Sequence, residues 1–183
     1  LLYRLHQDSP HDFLYFQNSF EIEKRLIELF SERINSPQGS DDEIMQNAFS
    51  KTLLHIKSTA DYSVFYGDGR DIYDVCGRTA HESIFNVKDG NFRCSATQQG
   101  YSSFSTWTRG LALAMYGFAE QLEWIETVNE EELTPFGGKE AFIALMLKAA
   151  KATCDFYIAN SPIDGVPYWD TGAPGLQKMG DYL

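Results

Sequence analysis

Ser105-Thr106-Trp107-Thr108-Arg109-Gly110-Leu111-Ala112-Leu113-Ala114-Met115-Tyr116-Gly117-Phe118-Ala119 is the stretch on which the fold turns. A tryptophan and an arginine stand two apart at the entrance of a nearly apolar run. Leu111, Met115, Phe118, Leu122 and Ile125 then recur at steps of four and three, the period of a helix with one face in a core. An arginine at such an entrance must reach solvent, a carboxylate or a pocket, because an unpaired buried guanidinium is very costly. Arg109 therefore either bridges loop carbonyls or faces a ligand, and the pattern leaves both open. Trp107 poses the same choice, between a rim aromatic and a core aromatic.

Working outward, a second long helix is expected from about Lys139 to Ala159. Phe142, Leu145, Ala149, Ala152 and Phe156 form one stripe there; Ile143, Leu147, Ala150, Cys154 and Tyr157 form another. A helix apolar on two sides is sandwiched between neighbours, so layered helical packing is the expectation. A third helix opens with Ser40-Asp41-Asp42-Glu43, which has the reciprocal spacing of a capping box, and continues through Met45, Phe49, Leu53 and Ile56. A fourth is expected from about Phe20 to Ile34, started by Ser19, Glu21 and Glu23 and stopped by Asn35 and Pro37. Residues 62–104 break this pattern. Ser83 to Val87 and Phe92 to Cys94 flank Lys88-Asp89-Gly90-Asn91, a short hairpin inside what reads as a functional insertion between helices. The segment from Ser161 to Leu183 is rich in Pro and Gly and has no period.

Composition narrows the function classes. Among 183 residues, 43% hydrophobic and 22% charged content is that of a folded domain and wrong for a disordered chain. A net charge of −11 disfavours binding to nucleic acid or to an anionic membrane surface. No stretch approaches the roughly 20 apolar residues of a membrane span. The high aromatic share, 14%, fits core filling or stacking on the flat face of a ligand. Cys76, Cys94 and Cys154 make no paired metal or redox spacing, and their sparse, odd count suggests reduced or buried thiols. His6, Asp8, His11 and Asp12 could ligate a metal but suit a solvated loop better. Tyr66-Gly67-Asp68-Gly69 is not followed by a phosphate loop or a dinucleotide fingerprint, and no nucleophile elbow occurs. The compartment and the oligomeric state stay open.

The run from Thr106 resembles the Trp-Thr/Ser-Arg-Gly-x-Ala-x-x-x-Tyr-Gly-Phe-Ala signature of the unsaturated glucuronyl hydrolases, glycoside hydrolase family 88. The unsaturated rhamnogalacturonyl hydrolases of family 105 carry a similar segment. Asp164-Gly165-Val166-Pro167-Tyr168-Trp169-Asp170 resembles a second family motif. His81 before the hairpin and Gln99 before Gly100 match a third, in the family's order. The matches run from about His81 to Asp170; upstream of Ala80 the likeness is weak.

The resemblance implies an all-α, six-hairpin-glycosidase-like (α/α)6 toroid. Residues 1–183 are then expected to be a single domain forming part of that toroid, with the hairpin as a small β insertion. It implies a glycosidase acting on the 4,5-unsaturated uronic acid end of oligosaccharides left by a polysaccharide lyase. An aspartic acid protonates the vinyl ether double bond, water adds, and the resulting hemiketal collapses to release the next sugar. No metal or organic cofactor is implied. Residue by residue, His81, Gln99 and Arg109 would hydrogen-bond the unsaturated sugar and Trp107 would shape or stack on the pocket. The family's catalytic aspartates normally precede this region, and neither motif is visible before Ala80, so the catalytic residue is unassigned. Asp71, Asp74, Glu82 and Asp170 are the carboxyls left to consider. The family's second pocket tryptophan, four after the arginine, is Leu113 here. A whole toroid needs about 350 residues for its helices and loops, so the chain is expected to be an incomplete piece, poorly soluble alone because two helices expose apolar faces. A different class, a non-catalytic carbohydrate-binding or scaffold protein that kept the sugar contacts, is the alternative expectation.

Overall fold

In the computed structural model, residues 13–15 and 41–176 are described. The expected helix from Phe20 to Ile34, the cap at Ser40, the cluster at His6 to Asp12 and the last residues before Leu183 lie outside them. Among the described residues four α-helices follow one another: α1 (Asp41–Ser58), α2 (Thr108–Thr127), the short α3 (Glu130–Leu133) and α4 (Lys139–Ala159). A small antiparallel sheet has strand order β1 (Phe13–Tyr15), β2 (Glu82–Phe85), β3 (Phe92–Ala96); β1 precedes α1 in sequence, and β2 and β3 lie between α1 and α2. The described part is thus mostly helical.

The apolar periodicities become the core. Leu53 and Ile56 of α1, Ala114, Phe118 and Ile125 of α2, and Phe142, Met146 and Ala149 of α4 pack in one cluster. Each large side chain withdrawn from water this way contributes about 1.5–3 kcal/mol. The most extensive helix contact is between α2 and α4. Their connection is held by polar groups: the Lys139 amide donates to both Glu130 carboxylate oxygens at 3.4 Å, and Lys139 Nζ donates to the Glu126 carbonyl at 3.0 Å. Three glutamates at the start of α3 suit the positive end of that helix.

Of the two stripes on α4, Phe142, Ala149, Ala152 and Phe156 are buried, whereas Leu147 and Cys154 are exposed and Ile143, Ala150 and Tyr157 half-buried. Only one side of α4 is therefore fully covered among the described residues. Of the two expectations for the thiols, reduced or buried, the first holds and the second does not: Cys76, Cys94 and Cys154 are free and exposed.

The hairpin forms as the sequence implies. Glu82 pairs with Ala96, Ser83 with Ser95 and Ile84 with Cys94. Gly90, with φ of 69°, turns the chain, and its amide donates to the Asn86 carbonyl at 2.7 Å. Tyr62, from the π-helical turn Thr59–Ser63 after α1, packs against Phe85 and Phe92 at ring separations of 4.9 and 5.5 Å. The third strand, β1, pairs with β2 on the other side, Leu14 opposite Ser83.

α1 and α2 meet at a small cavity of about 20 Å³, lined by His55, Thr59, Leu113, Ala114, Gly117, Phe118 and Gln121. The His55 Nδ1 is buried with no hydrogen-bond partner, and burial lowers the pKa of its ring to about 4. The folded state therefore binds this proton less readily than the unfolded chain. Stability from the neutral ring is complete above the ordinary histidine value of 6.5 and is lost as pH falls from there towards about 4. The loss is expected to reach up to about 3 kcal/mol at the acid end. Urea melts at stepped pH should show this fall in the native protein and a flatter profile in His55→Gln.

Candidate functional site

The site is assembled where the entrance of α2 meets three other segments. Trp107 precedes α2 in extended conformation (φ −68°, ψ 111°) and forms a bridge with Asp170. The Thr108 amide donates to the Trp169 carbonyl at 3.0 Å, and the Thr171 amide donates to the Thr106 carbonyl at 2.9 Å. The aperiodic segment that follows α4 is thus tied to the start of α2. The Trp107 indole lies over Gly110, where a Cβ would come within 2.9 Å of its Cε3, so the absence of a side chain at Gly110 is what lets the ring lie down.

Trp107 then links two of the other expected residues. The His81 ring packs on the indole with centroids 4.6 Å apart, and the Arg109 guanidinium carbon stands 5.9 Å from the indole centre. His81 and Trp107 are buried; Arg109 and Gln99 are exposed. Arg109 therefore takes the solvent-facing option, over a ring face that attracts cations.

The turn after β3 fixes the histidine. Backbone amides of Gln98 and Gln99 donate to His81 Nδ1 at 3.1 and 3.3 Å, and Thr97 Oγ1 lies 3.2 Å from the same nitrogen. A nitrogen that receives two N–H groups carries no hydrogen, so the neutral ring holds its proton on Nε2. Burial lowers the His81 pKa, which favours this neutral form. His81 is thereby set up as a fixed hydrogen-bond donor through Nε2. Gln99 joins the group through its backbone amide.

The four carboxyls have separate fates. Asp71 is engaged by the Arg78 guanidinium at 2.7 Å. Burial pushes the Asp74 carboxyl up, but amide hydrogen bonds from Arg70 and Gly67 and nearby arginine charges outweigh this and hold it below its usual range. Asp170 is fully buried and accepts the Tyr101 and Gly172 amides, each at 2.8 Å. Its carboxylate is a clamp between the Gln99–Tyr101 turn and the strand-like segment beside Trp107. Glu82 alone is pushed up, by burial, with Oε1 lacking any hydrogen-bond partner. On β2 it pairs with Tyr15 and Ala96.

Two curated proteins are similar to this chain in sequence. The unsaturated glucuronyl hydrolase of Bacillus sp. (strain GL1) is 32% identical over 94 residues, 51% of this chain and 21% of that protein. The unsaturated glucuronyl hydrolase of Formosa agariphila is 31% identical over 142 residues, 75% of this chain and 28% of that protein. The chain is a relative of the unsaturated glucuronyl hydrolases. It spans only about a quarter of the length of these relatives, from 21% to 28%. The fold agrees: the crystal structure of the Bacillus sp. GL1 enzyme, described as responsible for the degradation of glycosaminoglycan, superposes with a TM-score of 0.57 at 23% identity, covering 89% of this chain and 34% of that one. An unsaturated glucuronyl hydrolase specific for heparin gives 0.56 at 17% identity, covering 89% and 35%. No protein-family model matches the chain. For an unsaturated glucuronyl hydrolase relative, what sequence reasoning missed is the Asp170 clamp, since a loop carboxylate gives no signal until its amide partners, 69 residues away for Tyr101, are in place.

Proposed function

We propose that this chain supplies the sugar-holding part of a glycosidase that acts on the 4,5-unsaturated uronic acid end of lyase-generated oligosaccharides. The observation that carries the reading is the group centred on Trp107, with the His81 ring 4.6 Å and the Arg109 guanidinium 5.9 Å from it, drawn from two separate segments. Trp107 gives a flat apolar face, Arg109 an exposed forked donor suited to a uronate carboxylate, and His81 a donor held in one tautomer. Gln99, exposed beside them, adds an amide side chain for hydroxyl oxygens. Protonation of the alkene, water addition and hemiketal collapse follow as expected for these relatives, with the proton supplied by an acid not assigned to any residue here. The same reading makes the described helices a sector of an (α/α)6 toroid, with residues 1–183 forming one domain of it. The α2–α4 pair fits that arrangement: its covered side faces the core and its open side awaits a neighbour.

Replacing Arg109 by alanine is expected to lower kcat/KM about 100-fold or more, the loss typical of a charge-assisted donor at a reacting substrate. Arg109→Lys should recover only part, because a point charge cannot reproduce a fork. Unchanged kcat/KM in both variants, with native melting temperatures, would remove Arg109 from the site.

A further inference from the structure

Residues 65–78 form an excursion that leaves and rejoins the chain at one point. The bridge between Val64 and Thr79 closes its base, with the Phe65 amide on the Arg78 carbonyl at 2.9 Å and the Gly77 amide on the Phe65 carbonyl at 2.8 Å. Inside it, Phe65 is clasped between two guanidinium groups, Arg70 and Arg78, each 3.6 Å from the ring centre. Arg70 also donates to the carbonyls of Asp61, Tyr62 and Val64, and Arg78 to Asp71 and the Ser103 carbonyl. This is a firmly tied loop.

At its outer end Tyr73 lies against Phe104, with centroids 4.8 Å apart and planes 33° from parallel. Both rings stay half open, 46% and 52% exposed, although burying them would be favourable. Phe104 belongs to the turn that leads into Trp107. Its amide donates to Ser102 Oγ at 3.2 Å, and Ser102 and Ser105 are mutually hydrogen-bonded. Three residues of chain place its backbone within about 11 Å of that of Trp107. The Arg78 bond to Ser103 ties excursion and turn together.

We propose that Tyr73 and Phe104 form a stacking platform for a sugar ring beyond the second one, so that oligosaccharides longer than a disaccharide are preferred. The proposal rests on the function proposed above, because the platform continues the Trp107–Arg109 site along one tied turn. A pyranose offers a flat C–H face, which packs on an aromatic face while its hydroxyls stay wet. Tyr73 adds a hydroxyl at the rim. Two rings held apart from the core on a braced loop present that face without the entropy cost of ordering it on binding.

The test compares Tyr73→Ala, Phe104→Ala and Tyr73→Phe with the native full-length protein on an unsaturated disaccharide and the matching tetrasaccharide. Loss of either ring is expected to raise KM for the tetrasaccharide about tenfold, leave the disaccharide within about twofold, and be reversed in Tyr73→Phe. An equal change on both saccharides, or none on either, would overturn the platform. A lowered melting temperature with equal kinetics would instead mark the patch as a packing surface, and likewise overturn it. Calorimetric titration with the tetrasaccharide separates this from the underlying reading. Without turnover of either saccharide the hydrolase reading fails, yet weaker binding by the alanine variants would still support the platform and equal binding would overturn it.

Discussion

Asp170→Ala is expected to destabilise the fold by about 2–4 kcal/mol, because it removes a fully buried acceptor from two part-buried amides that now donate to it. The Tyr101 and Gly172 amides each lie 2.8 Å from its oxygens, and the side chain is fully buried. Losing it frees the turn that carries Gln98 and Gln99, whose amides fix His81. Activity should therefore fall more than stability alone explains at temperatures where the variant is still folded. Asp170→Asn keeps one carbonyl acceptor and should cost roughly half as much. Chemical denaturation gives the first quantity, and hydrogen exchange at Tyr101 and Gly172 locates it. Native stability in Asp170→Ala would mean that the clamp is incidental.

Gly77→Ala is expected to cost about 3–5 kcal/mol, from strain and collision together. Gly77 has φ of +83°, and a Cβ there would lie 2.0 Å from the Ala152 carbonyl oxygen and 2.5 Å from Phe156 Cβ. Neither neighbour yields easily, since both belong to the buried side of α4. Gly69 provides the control: its φ is +79°, but nothing lies within 4 Å of its added Cβ. Gly69→Ala should cost only about 1–2 kcal/mol, the strain without the collision. Equal melting temperatures for the two variants would show that the excursion is not wedged on α4.

The helices were legible because their stabilising contacts repeat at a fixed period. Leu111, Phe118 and Ile125 declare α2 on their own, and Leu53 with Ile56 declares α1. The hairpin was legible for a related local reason: Lys88 to Asn91 is turn chemistry between two short runs. The remainder depends on partners distant in sequence. Nothing about Phe13 to Tyr15 announces a strand, because its pairing partner, β2, supplies the reason for it. The clasp of Phe65 between Arg70 and Arg78 likewise has no period, only charge and reach. Within the candidate site, His81, Trp107 and Arg109 were singled out from ordered motifs and are brought into ring contact in space. Gln99 lies with them through its backbone. Asp170, by contrast, looked like one loop carboxylate among four, and Glu82 gave no sign of its burial until β2 had neighbours on both sides.

Chemistry at an unsaturated uronate destroys the sugar's conjugated chromophore, so ultraviolet absorbance reports it directly. The measurement is the ultraviolet absorbance of lyase-generated disaccharides from several glycans, followed over time with the native full-length protein and with Arg109→Ala alongside. Steady loss of absorbance is expected with at least one disaccharide, at a rate lower by about two orders of magnitude in the variant. Persistent absorbance with every disaccharide, from protein that melts cooperatively and binds the same sugars, would contradict it and leave a carbohydrate-binding protein without the reaction.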